Sequence, residues 1–503
     1  MRRAVAAAAA IAVAWALAAT PAAAMDADGL KAEVEAMLAE ARALVAPATI
    51  QIGPVEVVPD GAGFRVTLPD ISIDDPVKQQ HVAIGTLAAT VSEPGPGLFG
   101  IDDVSIPERM TVTENGQETG WLALDLDRYS GVYSTGVHDF MQLDLLINSF
   151  ELRIPEEAVL IGGGRTTAWI ATVPEHDASG GLTGYQRQQQ YGSVQNMVIT
   201  SKDAVVEIDQ LTVDGASEGL DLAVYENLVA IFDDLELAGA QQDTARLEVL
   251  RKSLSEAVDL AETMRAGVQI LGLRSFDETG GSTFALDSLR LGFDIDMPRG
   301  EDFAAATLAL SGEGLSLDAG SNPEIQPYVD LIPHSWNIPL KVDHLPTEAL
   351  ALAMADVVYQ ASGNALTMPE EQLNTLGQAI MGALGTAGSY FIVRDLFLES
   401  PLVRLDSKAS LAFSPNAQLG VVGNWAVTLT GLDRVLALAE GMSDPDAKRM
   451  LSGAVLAMMG VGQATALPDG RVGYRFSFSF APDGTVQMNG FSFGDFLNKA
   501  IPQ

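Results

Sequence analysis

GRVGYRFSFSFAPDGTVQMNGFSFGDFL, residues Gly470–Leu497, sets how the rest of the chain is read. Tyr474, Phe476, Phe478 and Phe480 fall at every second position, with Arg475, Ser477 and Ser479 between them. A period of two places the four aromatics on one face of a strand and the polar residues on the other. Pro482, Asp483 and Gly484 are turn formers, so the chain is expected to return as a ribbon carrying Phe491 and Phe493. An aromatic face of this kind must be covered by a helix, another sheet or a ligand.

The same alternation recurs upstream. Val55, Val57, Phe64, Val66 and Leu68 flank the turn Pro59–Gly63 and read as a hairpin. In WLALDLD, Trp121, Ala123, Asp125 and Asp127 share one side and Leu122, Leu124 and Leu126 the other. Met141, Leu143, Leu145 and Ile147 face together in the next run. After Gly272, SFDETGGSTFALDSLRLGFDIDMP and FAAATLALSGEGLSLDAG each read as a hairpin. The period changes to three or four in four places: residues 27–45, Leu220–Ile270 (with Leu247, Leu250, Leu254 and Val258), Thr347–Thr386, and the pair LDRVLALAEGM and DPDAKRMLSGAVLAMMG. The expected fold is α+β but β-rich: long curved antiparallel sheets built from successive hairpins, with amphipathic helical pairs packed on one face. Residues 25–219 form an N-terminal helix plus β region, 220–271 a helical pair, and 272–503 a C-terminal α+β region. Two C-terminal stretches, from Leu405 and from Tyr474, repeat a strand, a Pro-containing turn, a strand and a Gly-containing helix start.

The chain has 503 residues, 48% hydrophobic but only 6% aromatic, with a mean hydropathy of +0.18. That is ample for a folded interior and too long for one core. It opens MRRAVAAAAAIAVAWALAATPAAAM: a basic start, an apolar run and Ala22-Ala23-Ala24. This is the pattern of a cleaved secretory leader over residues 1–24, so the mature chain is expected to start near Met25 in the periplasm. No later stretch reaches ~20 apolar residues free of charge, so no transmembrane segment is expected in the mature chain. Cysteine is absent, which removes disulfides, thiolate metal sites and thiol catalysis. Without Arg2 and Arg3 the chain carries 27 basic residues (29 less 2) against 66 acidic ones, a net charge of −39. Such a surface repels nucleic acid and anionic membranes, and it suits solubility or a cationic ligand.

These hairpin units, the leader and the closing DG…G…F pattern resemble DUF2125, a family of alphaproteobacterial envelope proteins. More remotely, the strand–turn–strand texture is similar to AsmA-like and YdgA-like (DUF945) envelope proteins. The first resemblance implies no activity or residue roles. The second implies an elongated β-scaffold with an apolar groove and a part in lipid handling or outer-membrane maintenance.

Catalytic signatures are missing. The five histidines (His81, His138, His176, His334 and His344) form no HExxH, and His334 and His344 flank a strand-like run. Gly162–Gly164 precede strand-like TTAWIATV and not a helix, so they read as a turn or bulge. Asp70, Asp74, Asp75, Asp102, Asp103, Asp125 and Asp127 match no EF-hand or Ca²⁺ repeat. No cofactor, metal site or catalytic residue is assigned. The reading reached is a non-enzymatic periplasmic protein that binds or shelters a hydrophobic ligand such as lipid, with Tyr474, Phe476, Phe478, Phe480, Phe491 and Phe493 lining the site. The alternatives are an envelope structural or assembly factor acting through protein contacts, and a secreted hydrolase.

Overall fold

A computed structural model of the chain describes residues 26–44, 48–76, 79–95, 98–134, 139–154, 159–176, 182–225, 260–277, 282–299, 301–318, 326–347, 349, 370–467 and 470–493. The leader-like segment and most of the helical readings over Leu220–Ile270 and Thr347–Thr386 lie outside these residues. Two compact units are formed, Met1–Val229 with Ile270–Gly281, and Ala230–Gln269 with Ser282–Gln503.

The first unit opens with helix α1 (Ala27–Leu44), capped by the Asp26 carboxylate, which accepts from the Gly29 amide at 2.8 Å. Strands follow: β1 (Thr49–Gln51), β2 (Glu56–Asp60), β3 (Gly63–Asp75), β4 (Gln80–Gly95), β5 (Leu98–Ser105), β6 (Arg109–Glu114), β7 (Gln117–Ser134), β8 (Asp139–Ile154), β9 (Val159–Gly163), β10 (Thr166–His176), β11 (Leu182–Thr200) and β12 (Ala204–Leu220). All their pairings are antiparallel. Three pairs of short strands (β1 with β2, β5 with β6, β9 with β10) each share one position in the sheet. Leu30, Val34 and Leu38 of α1 pack on Val66, Leu68, Ile71, Ile73, Val82 and Ile84 to make the main core.

A crease crosses this sheet. β3 is bulged between Leu68 and Ile71, with Asp70 at φ 52°, and β7 shifts register between Asp125 and Arg128. The short strands break at Gly53-Pro54, at Pro107 and at Gly164, where the Gly164 amide donates to the Gln195 carbonyl at 2.8 Å. The bulge keeps Leu68 and Ile71 on the same face although they are three residues apart. Gly162 and Gly163 lie in β9 and Gly164 at the crease, as the bulge reading of the triglycine expects. On the apolar face, Leu122 pairs with Leu152 and Leu152 with Ile161, Leu124 with Phe150, and Leu145 with Tyr129 and Ala168.

One helical expectation is corrected. Thr263–Ile270, read as the end of a helical pair, belong to strand β13 (Thr263–Asp277). Val268 and Ile270 are β-branched and alternate, so the local signal was ambiguous. Cross-strand partners settle it: Arg265 pairs with Asp294 at 3.3 Å and Arg274 with Asp209.

The second unit contains β14 (Ser282–Asp296), β15 (Phe303–Glu313), β16 (Ser316–Leu317), β17 (Ser335–Pro346), α2 (Glu370–Ala387), β18 (Tyr390–Glu399), β19 (Arg404–Phe413), β20 (Val421–Thr430), α3 (Leu432–Gly441), α4 (Pro445–Val461), β21 (Gln463–Ala466), β22 (Val472–Phe480), β23 (Val486–Met488) and β24 (Phe491–Ser492). Antiparallel pairing runs β14–β15–β17–β18–β19–β20–β22–β23–β24. A second expectation fails here. β16 does not turn back on β15; past Gly314 (φ 73°) it continues beside β14, Phe284 opposite Leu317. A single left-handed glycine bends the strand without reversing it.

Candidate functional site

The closing ribbon forms as its alternation requires. β22 and β23 pair through Phe478–Met488 and Phe480–Val486 around a Pro482-Asp483-Gly484 turn. The Thr485 hydroxyl and amide bond to the Asp483 carboxylate and hold it below the usual aspartate value. On its other side β22 pairs with β20, setting Tyr474 opposite Leu429, Phe476 opposite Val427, Phe478 opposite Trp425 and Phe480 opposite Gly423.

Following these partners across the unit yields apolar rows. One runs Phe293, Leu308, Leu340, Val393, Ala409, Trp425, Phe478, Met488, Phe491, one residue from each of nine successive strands. The next runs Ile295, Ala306, Val342, Phe391, Leu411, Gly423, Phe480, Val486. A third begins Leu289, Gly312, Trp336 and reaches Tyr474 through Leu398, Leu405 and Leu429. No charged side chain interrupts any of the three. At the strand spacing of about 4.8 Å, the longest row follows the sheet for on the order of 38 Å. The opposite face carries Asp294, Thr307, Lys341, Ile392, Ser410, Asn424 and Ser479 in matching registers, polar at every strand but β18.

Burial along this face is uneven. Tyr474 joins the cluster of Leu432 and Val435 on α3 with Val455 on α4. Phe476 is buried, and Val393 and Ala409 are closed off in mid-sheet. α2 lies against β17 and β19 and buries Leu384. By contrast Leu291, Phe293, Leu308 and Trp425 are each 40–43% exposed, and Phe491 is 70% exposed. Phe478 sits between Trp425 (6.1 Å) and Phe493 (5.8 Å, edge to face). The Trp425 indole N–H donates to Ser407 Oγ at 2.6 Å, which satisfies the one polar atom a tryptophan brings to an apolar face.

The structure therefore gathers the six sequence-derived residues at one end of the face: Tyr474 and Phe476 in the closed part, Phe478, Phe480 and Phe493 partly covered, Phe491 open. Sequence reasoning missed Leu291, Phe293, Leu308 and Trp425. Their alternation is visible in LRLGFDI and NWAVTLT, but only the register brings them into line with the ribbon. The packing also fixes small residues. Trp336 lies over Gly312, where a Cβ would come within 2.2 Å of the indole; in the first unit Phe150 covers Gly163 at the same distance.

Several titratable groups are committed locally. His81 bonds Asp74 at 2.7 Å, Asp103 pairs with Arg65 at 2.9 Å, and His344 stacks on Phe303 at 5.2 Å. Among the described residues no group of three or more His, Asp or Glu is arranged to hold a metal, and no helix is long and apolar enough to cross a membrane. No family model matches the sequence, and no curated protein matches it.

Proposed function

We propose that the protein is a non-enzymatic periplasmic binder of a hydrophobic ligand, specifically the acyl chains of a lipid, held on the apolar face of the second unit's strands. One observation carries this reading: the row from Phe293 to Phe491 is apolar at every one of nine strands, yet Leu308 and Trp425 within it are more than 40% open. A sheet face that exposes aligned large side chains is stabilised by an occupant, and a long unbranched chain suits a linear strip. The covering of the remaining face by α2, α3 and α4 belongs to the same reading. The periplasmic address rests on the leader-like N-terminus, and kinship with the DUF2125 and AsmA-like envelope proteins on the hairpin texture.

Protein purified from its native periplasm without detergent would be analysed by native mass spectrometry and organic extraction. The expected result is a stoichiometric lipid, lost in a Phe293→Ser, Leu308→Ser variant that still unfolds cooperatively. Folded, monodisperse protein that carries no lipid and takes up none from vesicles would overturn the reading. An assembly factor acting through protein contacts is the second reading, favoured by the outward side of α4, where Met450 is 74% and Leu456 55% exposed.

A further inference from the structure

A different surface, independent of the lipid reading, lies on the polar face of the first unit. A depression of about 580 Å³ is lined by Ser92, Gly100, Asp102, Ser130, Asp144 and Trp169 among others, a volume typical of small-molecule sites. The sheet register sets its chemistry. Asp102 pairs with Ser130, Ser130 with Asp144, Asp144 with Trp169, Trp169 with Tyr191 and Tyr191 with Asp214, one straight row over six strand positions.

The two rings are stacked, 6.0 Å between centroids and 20° between planes. The indole stays 39% exposed and forms one wall of the depression. On this otherwise polar face an open tryptophan stacked on a tyrosine is not core material. Arg128 neutralises Asp144 at 2.9 Å, and among the described residues no cation pairs with Asp102 or Asp214. The row thus combines an aromatic wall with uncompensated negative charge.

We propose that this depression binds an organic ammonium group, its cationic head against the Trp169 ring and beside the Asp144 carboxylate, with Asp102, three strand positions away, adding to the negative potential of the depression. The π-face attracts a cation within about 6 Å of its centroid, and a weakly hydrated alkylammonium loses less on leaving water than a metal ion does. The group could come from a free amine or from a lipid headgroup; the recognition chemistry is shared.

Calorimetry with choline chloride and with its neutral isostere 3,3-dimethylbutan-1-ol tests this. Saturable choline binding is expected, at least tenfold tighter than the alcohol. Trp169→Leu weakens it about tenfold, Asp102→Asn by no more than about twofold, Trp169→Phe retains it within a few-fold, and Asp433→Asn leaves it unchanged. Retention by Trp169→Phe separates loss of the ring from loss of the fold. Choline in competition with phosphatidylcholine vesicles, but not phosphatidylglycerol vesicles, assigns the group to a headgroup; binding of choline alone assigns it to a free amine. Equal affinity for choline and the alcohol, no saturable binding of choline, or full binding by Trp169→Leu would overturn the proposal.

Discussion

The two units obey one sequence rule and reach different ends. Both alternate apolar and polar residues along antiparallel strands. In the first, α1 lies along β1–β4 and leaves Leu68 fully buried and Val66 and Ile71 at 1% exposure. In the second, α3 and α4 close the Leu429–Tyr474 end, while Phe293, Leu308 and Trp425 stay open in the same row as closed Val393 and Ala409. An apolar face contributes stability where it is covered and is the surface proposed to bind lipid where it is not, and alternation alone does not distinguish the two.

That contrast is broken most directly by truncating one residue of each kind. Phe476→Ala, at a closed position, is expected to destabilise the fold by about 3–5 kcal/mol, and Leu68→Ala under α1 by about 2–5 kcal/mol. Phe293→Ala, at an open one, is expected to change urea stability by less than about 1 kcal/mol while reducing co-purified lipid. Equal losses of stability at Phe476 and Phe293 would mean that the face is uniformly packed.

Tyr129 sharpens the account of the first unit. It lies with Tyr133 and Phe140 beside Ala89 and Ile101, and burial pushes its phenol up to about 12 from the ordinary 10.0. The folded state therefore holds the proton more tightly than the unfolded chain. The resulting stability is whole below pH 10 and drains away as pH rises through 12, by about 2–3 kcal/mol. Denaturation midpoints measured from pH 9 to 12 are expected to fall less steeply in Tyr129→Phe.

Glycine–aromatic contacts provide a smaller probe. Gly163→Ala drives a Cβ into the Phe150 ring and is expected to cost about 1–3 kcal/mol. Pairing it with Phe150→Leu should recover part of that loss in a double-mutant cycle. The smallest effect is expected at Arg404, which bonds Asp406 and Glu399 and lies 4.8 Å over Phe397. Its guanidinium is raised above the usual value chiefly by the Asp406 hydrogen bond. Because the group is substantially exposed, Arg404→Lys should cost less than about 1 kcal/mol, with the loss shrinking in high salt.

Much of this architecture is legible in the sequence. The alternation in YRFSFSF, in WLALDLD and in Met141–Ile147 assigned faces that the registers reproduce, and helix α1 followed from the spacing of Leu30, Val34 and Leu38. The misreadings share a cause. In Thr263–Ile270 and around Gly314 the local pattern admits two conformations, and neighbours distant in sequence choose between them. Trp169 and Tyr191 were invisible as a pair for the same reason: nothing near either residue announces the other.

Within unbulged runs the sequence by itself determined which residues share a face, because a strand's period of two is a property of its own backbone; at the β3 bulge, Leu68 and Ile71 share a face against that period. It also determined the charge and the absence of thiol chemistry, which are matters of composition. Only the tertiary structure decided which faces align across nine strands, where glycine must sit beneath an aromatic ring, and which part of an apolar face is closed. Those depend on register and cover, both set by long-range hydrogen bonding and packing that no local pattern encodes.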